Sequence, residues 1–426
     1  MSAATVAFVG MTHLGLVSAI GTASKGVRVI GFDRDAALCE KLRAGNLPVV
    51  EPDLDDMLAA NRAHIDFTSD FARLQECDIA YIAPDVPTDD KGQSDLGPIR
   101  SLIDAVLPAL GPKSLLVILC QVPPGFTRSI PLDASRLYYQ VETLIFGRAV
   151  ERATQPERFI VGCADAAQGL PPIYSDLLAR FDCPVLPMRY ESAELAKISI
   201  NMCLVASVGV ANTMAEICEG CGALWHEIVP ALKLDRRIGP YSYLAPGLGI
   251  AGGNLERDLA TVIRMADAQG ADAGIVKAWI ANSRHRRDWA ARTIQAELLQ
   301  AKPGAVVAIW GLAYKENTHS VKNSPSLATI DQLPDTALRL HDPIVPAAAA
   351  RHDHATGCAS ALDALDGADA LMILTPWPEY RGIDPVEIAA RMQGKLVLDP
   401  YQVLDGAKAA SAGLRRIILG APAPQA

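Results

Sequence analysis

Residues 4–33 leave this chain few choices of fold. ATVAFVG (4–10) is a β-branched and aromatic run ending in glycine, a helical pattern follows from about Leu14 to Lys25, and VRVIGFD (27–33) reads as a second strand ending in an acid. A strand, a tight turn, a helix and a second strand make a βαβ unit, in which the helix carries the chain back so that the two strands lie parallel. The turn is Gly10-Met11-Thr12-His13-Leu14-Gly15, a G-x-G-x-x-G with Thr12 in place of the middle glycine. In such a turn the first glycine makes the bend and the third admits close helix packing, while the helix N-terminus offers N–H groups to a pyrophosphate. We therefore expect Gly10, Thr12, His13, Leu14 and Gly15 to cradle a dinucleotide. Asp33 then meets the adenosine ribose with Arg34 beside it, and the acid favours NAD over NADP.

The same grammar continues along the chain. Strands are predicted at 78–83, 115–120 and 158–162, then again after Lys302-Pro303-Gly304 at 305–311, 338–341, 369–374 and 395–399. Between these sets, 190–233 reads as one long helical region, apolar nearly all round, and 258–300 as another. A helix of that kind lies between domains or against a second subunit. The expected fold class is α/β, two Rossmann-like doubly wound lobes joined by a long central helical region. The domains are drawn at 1–189 (NAD-binding), 190–300 (central helical, dimerising) and 301–426 (C-terminal, Rossmann-like).

A net charge of −9 gives no basic surface for nucleic acid, so an anionic ligand has to be held by local groups. NMCLVASVGVANTM, about fourteen residues, falls short of a bilayer span, and no membrane partner is expected. The nine cysteines are scattered. Cys218 and Cys221 form a C-x-x-C that reads as a plain helix end, and Cys120 reads as core. No metal site is expected, and the cytoplasm is the expected compartment.

Several further segments share one order. GNLPVVEPDLDDML (45–58), APDVPTDDKGQSDL (83–96), CQVPPGFT (120–127), ETLIFGRAVERATQPERFIVG (142–162), AELAKISIN (193–201), DRRIG (235–239), GLGIAGGNLERD (247–258) and GLAYKENTHSVKNSP (311–325) follow one another. From about residue 5 to 405 the chain resembles the UDP-glucose/GDP-mannose dehydrogenase family. In that family a nucleotide sugar gives two hydrides from C6 to two NAD molecules, passing from alcohol to aldehyde, to a cysteine-bound thioester, to carboxylate. The resemblance implies NAD as cofactor, a nucleotide-sugar substrate, a homodimer and a place in polysaccharide biosynthesis. It makes Glu142 the catalytic glutamate, Lys197 the lysine that stabilises a developing oxyanion, Asn201 a partner of that oxygen, and Asp258 the aspartate that helps activate water. It places Val86, Gln121 and Lys322 at the cofactor, and Leu144, Arg237, Tyr241, Tyr243, Gly249 and Lys315 at the substrate. Arg237 would reach a neighbouring subunit's sugar.

The residue types suit that chemistry, since a carboxylate accepts protons and a fixed ammonium stabilises an alkoxide in a dry site. The departure is at position 254. The family's GxGxGGSCxPKD carries its nucleophilic cysteine there, whereas this chain has Asn254, whose neutral amide cannot attack an aldehyde. We expect an NAD-dependent oxidoreductase acting on a CH–OH group of a nucleotide-activated sugar, by one hydride transfer or by oxidation and re-reduction, which is epimerisation. The alternatives are a full 6-dehydrogenase working through a hydrated aldehyde, and a non-catalytic binding paralogue. Thr12, Val86, Gln121 and Asn254 speak against the first alternative. Retained Glu142, Lys197, Asn201 and Asp258 speak against the second.

Overall fold

The computed structural model describes residues 4–87, 89 and 94–424; Thr88 and 90–93, within the quoted 83–96 segment, lie outside the described residues. The chain divides into two compact units, Met1–Ile200 and Asn201–Ala426.

In the first unit an eight-stranded sheet is built from β1 (Thr5–Val9), β2 (Arg28–Phe32), β3 (Ile65–Thr68), β4 (Ile79–Ile82), β5 (Leu115–Ile118), β6 (Leu137–Gln140), β7 (Phe159–Cys163) and β8 (Val185–Arg189). Their order is β3-β2-β1-β4-β5-β6-β7-β8. All pairs are parallel except β6 with β7. The second unit repeats the plan with β9 (Val306–Trp310), β10 (Ala337–His341), β11 (Ala355–Gly357), β12 (Ala370–Ile373), β13 (Leu396–Leu398) and β14 (Arg415–Ile417). These are ordered β11-β10-β9-β12-β13-β14 and are parallel throughout. Both sheets run outward from a central strand, then jump back across it. That reversal opens a crevice at the carboxyl ends of the strands, where ligands of such sheets bind. The central strands are buried on both faces, which is why they are continuous apolar runs and legible in the sequence.

Five strands were not expected from the sequence: β3, β6, β8, β11 and β14. All but β6 are edge strands. An edge strand is solvated along one side and needs no apolar run, so IDFT, VLPMR, ATG and RRI carry little signal. β6, LYYQ, is fully buried but short.

The region 190–233 is two helices rather than one. The long helix Tyr190–Cys221 has 32 residues, and Trp225–Leu234 follows after Gly222 takes a positive φ of 83°. By length and composition the long helix is apolar enough to cross a membrane, a test that a core helix also passes. Its first turns are tied into the first unit, because the buried Glu194 carboxylate accepts the backbone N–H groups of Gly125 (2.6 Å) and Thr127 (2.8 Å). The stretch 258–300 resolves into helices Asn254–Gln269, Gly274–Arg287 and Trp289–Ile294, the first of them starting four residues earlier than expected.

Candidate active site

The turn after β1 has the geometry its residues demand. Gly10 takes a φ of +96°, and a Cβ on Gly15 would lie 1.9 Å from the Gly10 carbonyl oxygen, so the helix His13–Ala23 approaches the turn as only glycine permits. Thr12 is the N-cap of that helix without a side-chain cap bond; its hydroxyl instead accepts the Asp85 N–H at 2.7 Å. The first-turn donors are left to an anionic ligand. Asp33 ties the end of β2 to the turn: one carboxylate oxygen accepts the Met11 N–H (2.8 Å) and the other the Asp35 N–H (2.9 Å). A carboxylate has about four acceptor positions, so room remains for ribose hydroxyls. Arg34 donates to the Ser101 carbonyl at 2.8 Å. Leu14 is core, Val86 is half-buried against the same core, and Gln121 is half-buried after β5.

His13 and its neighbourhood hold a residue that the sequence did not single out. His13 Nε2 lies 2.8 Å from an oxygen of Glu51, a carboxylate with no side-chain exposure, and its ring rests on Phe146. Glu51 also accepts the N–H groups of Gly147 (2.9 Å) and Ala149 (3.3 Å), at the start of helix Ala149–Thr154. It thus joins the glycine turn to the loop that carries Glu142. The acid stood in the quoted 45–58 segment, but no spacing there announces its burial.

On that loop Glu142 forms an ion pair with Lys197, 2.8 Å apart, and both side chains are mostly buried. The other Glu142 oxygen accepts the N–H of Leu144 at 3.0 Å. Lys197 is carried by the long helix one turn after Glu194, whose own carboxyl is pushed above the usual carboxylate range by burial. Asn201 follows one further turn along, at the start of the second unit. Cys120 is fully buried and burial pushes its thiol up to about 12, so it is core and not a spare thiolate.

In the second unit Asp258, 1 % exposed, accepts a hydrogen bond from the Asn201 amide and faces Arg257 Nε at 3.4 Å. Arg257 is itself buried and was missed, since an arginine beside an acid on a helix usually points to solvent. Asn254 is exposed and is the first residue of helix Asn254–Gln269, one turn before Asp258 and on the same face. The loop leading into it is glycine by necessity at Gly249, where φ is +80° and a Cβ would stand 2.4 Å from the Ser283 carbonyl. Lys322 runs along this loop: a Cβ on Gly253 would be 3.2 Å from its side-chain carbons, and its carbonyl accepts the Gly252 N–H. Lys315 lies over the Tyr314 ring, whose edge backs Gly252. Arg237, 89 % exposed, folds back on Asp235 through two bonds, and Tyr241 is 93 % exposed with Tyr243 about half so. All nine cysteines are free, Cys218 and Cys221 closing the long helix, and no metal-like group of three or more His, Cys, Asp or Glu exists among the described residues.

Three sequence models of one family match the chain: the UDP-glucose/GDP-mannose dehydrogenase NAD binding domain over residues 4–181, the central domain over 191–284 and the UDP binding domain over 308–406. The UDP-glucose 6-dehydrogenase of Pseudomonas aeruginosa is 29 % identical, with 97 % of each chain covered, and the UDP-glucose 6-dehydrogenase TuaD of Bacillus subtilis is 27 % identical over 98 % of this chain and 93 % of its own. Among solved structures, a UDP-glucose dehydrogenase from Pyrobaculum islandicum superposes with a TM-score of 0.80 at 28 % identity, covering 93 % of this chain and 94 % of that one.

Proposed function

The chain belongs to the UDP-glucose/GDP-mannose dehydrogenase family of NAD-dependent oxidoreductases, and from that premise we propose that it takes a single hydride from a CH–OH group of a nucleotide-activated sugar without passing through a cysteine thioester. The observation that carries this reading is Asn254. The residue occupies the exposed first position of its helix, one turn before Asp258, where the family's pattern has a cysteine. An amide there cannot form the covalent intermediate that takes an aldehyde on to an acid.

The remaining groups suit the first oxidation. The glycine turn, the uncapped helix N-terminus and Asp33 fit the pyrophosphate and ribose of NAD, which when bound supplies the hydride acceptor. Lys197 holds an ammonium in a mostly buried position and stabilises the oxygen as it becomes an alkoxide, while Glu142, 2.8 Å away, takes up the proton. The Asn201 amide donates to Asp258, and in this reading Asn201 is assigned as a partner of the oxygen because the family resemblance implies it. Arg237, Tyr241, Tyr243, Gly249, Lys315 and Leu144 contact the nucleotide sugar in this reading, and Val86, Gln121 and Lys322 the cofactor. The partner is a second copy of the chain, and nine free thiols suit a reducing compartment such as the cytoplasm.

A second reading, complete oxidation through a hydrated aldehyde, is favoured by one observation. The Asn201–Asp258–Arg257 cluster remains intact and buried beside Asn254, able to orient a water. One experiment separates the two. Purified protein is incubated with a panel of nucleotide sugars and NAD, following NADH absorbance and product mass together. One NADH per carbonyl product, or an altered sugar configuration without net NADH, supports the single-hydride route. Two NADH per sugar with a carboxylate product overturns it.

A further inference from the structure

A cavity of about 60 Å³ lies inside the first unit, lined among others by Ser18, Thr22, Tyr81, Gln140, Glu142 and Arg152. At roughly 10–15 Å³ per molecule that space holds several waters, and it is far too small for a sugar or a nucleotide. The cavity is only partly enclosed.

Much of the lining is apolar, Phe8, Leu14, Leu119, Phe159, Leu177 and Phe181 among it, and the polar groups are a few side chains. Gln140, at the end of β6 and 8 % exposed, accepts the hydroxyls of Tyr81 (3.1 Å) and Tyr174 (2.8 Å) on its side-chain oxygen. Burial holds both phenols well above their ordinary pKa, so both remain protonated donors. With its oxygen doubly occupied, the Gln140 amide presents its NH2 group to the cavity, and no protein acceptor meets that group among the described residues. Ser18 and Thr22 stand one turn apart on helix His13–Ala23, and neither hydroxyl bonds to protein among the described residues. Water entering the partly enclosed cavity can meet these groups. Glu142 lines the same space, its two carboxylate oxygens meeting Lys197 and the Leu144 N–H.

We propose that the cavity holds a hydrogen-bonded water chain, anchored by Gln140, Ser18 and Thr22, that carries protons from Glu142 toward solvent. The inference rests on the reading of Glu142 as the proton acceptor. When the sugar C–H leaves as hydride, the O–H electron pair forms the C=O bond and the hydroxyl proton passes to the Glu142 carboxylate. Glu142 returns to its starting state by giving that proton to the nearest water, which releases another further along the chain. Gln140 is then a positioning residue, acting through water and touching no substrate.

Two measurements test this. A high-resolution crystal structure of the protein should show water on Gln140 Nε2 and continuous ordered water from there to Glu142; a dry cavity overturns the proposal. Thr22→Ile fills the space, and Ser18→Ala removes one hydroxyl without strain. Both should lower kcat, Thr22→Ile by about ten-fold, at unchanged KM for NAD. The solvent deuterium isotope effect should rise, and added imidazole buffer should restore part of the rate. A merely structural role would not respond to buffer. Unchanged kcat and isotope effect in both variants overturn the proposal. Parent protein that turns over no nucleotide sugar overturns the dehydrogenase reading instead, and the crystal structure then decides the water chain by itself.

Discussion

Each oxygen of the Asp33 carboxylate already accepts one backbone N–H, and the positions left over are those a ribose hydroxyl needs. Asp33→Ala should weaken NAD binding about ten- to hundred-fold, the equivalent of about 1.5–3 kcal/mol for hydrogen bonds to a charged group. Calorimetric titration checks this, and unchanged affinity would remove Asp33 from the cofactor site. Lys197 is a different case, because its removal leaves Glu142 without its partner in a mostly buried place. Lys197→Met should lower kcat by about 10²–10³ while NAD affinity stays near that of the parent. A variant that keeps the parent's kcat would strip Lys197 of its assigned role. At position 254 the sequence alone was sufficient, since it shows an asparagine where the family's pattern has a cysteine. The partners of Glu51, the Met11 partner of Asp33 and the Asn201 partner of Asp258 were not legible there, because they lie far away along the chain.

At the scale of elements, Glu194 holds the beginning of the long helix on the 124–127 loop, its two side-chain oxygens accepting N–H groups. Glu194→Gln sets an NH2 group against one of those donors and should be destabilising by about 1–3 kcal/mol. The pH dependence has a definite sign. The Glu194 carboxyl titrates above the ordinary range in the folded state, so the folded protein binds the proton more tightly than the unfolded chain. The contribution of this group to stability is therefore present below the ordinary carboxylate range and falls as pH rises through the raised value. The parent's advantage over Glu194→Gln should shrink across that window in denaturant titrations at several pH values. A pH-independent difference would mean that Glu194 stays ionised throughout. The glycine loop is an element of another kind, set by backbone conformation. Gly249→Ala meets both a positive φ and the Ser283 carbonyl, and should lower the melting temperature even though no side chain is lost.

For the molecule as a whole, the long helix leaves Val210, Met214 and Ile217 exposed at spacings of four and three, the pattern of a seam awaiting another helix. Light scattering at micromolar concentration should give a dimer or a larger assembly. Ile217→Glu should shift it toward monomer, while a parent protein that is monomeric would refute the seam. How much of this could be read beforehand follows from range. The sequence by itself determined the two doubly wound sheets, since β1, β4, β5, β9 and β12 are buried on both faces and must be continuous apolar runs. It also determined the glycine turn with its acid, and the absence of a nucleophile at position 254, because these are matters of local conformation or of a single side chain. Only the tertiary structure decided the edge strands, the break after Cys221, the pairing of Glu142 with Lys197, and the burial of Glu51, Glu194 and Arg257. A charged side chain carries no mark of its surroundings in the sequence. Whether it is solvated or locked inside depends on which distant backbone and side-chain groups the fold brings to meet it.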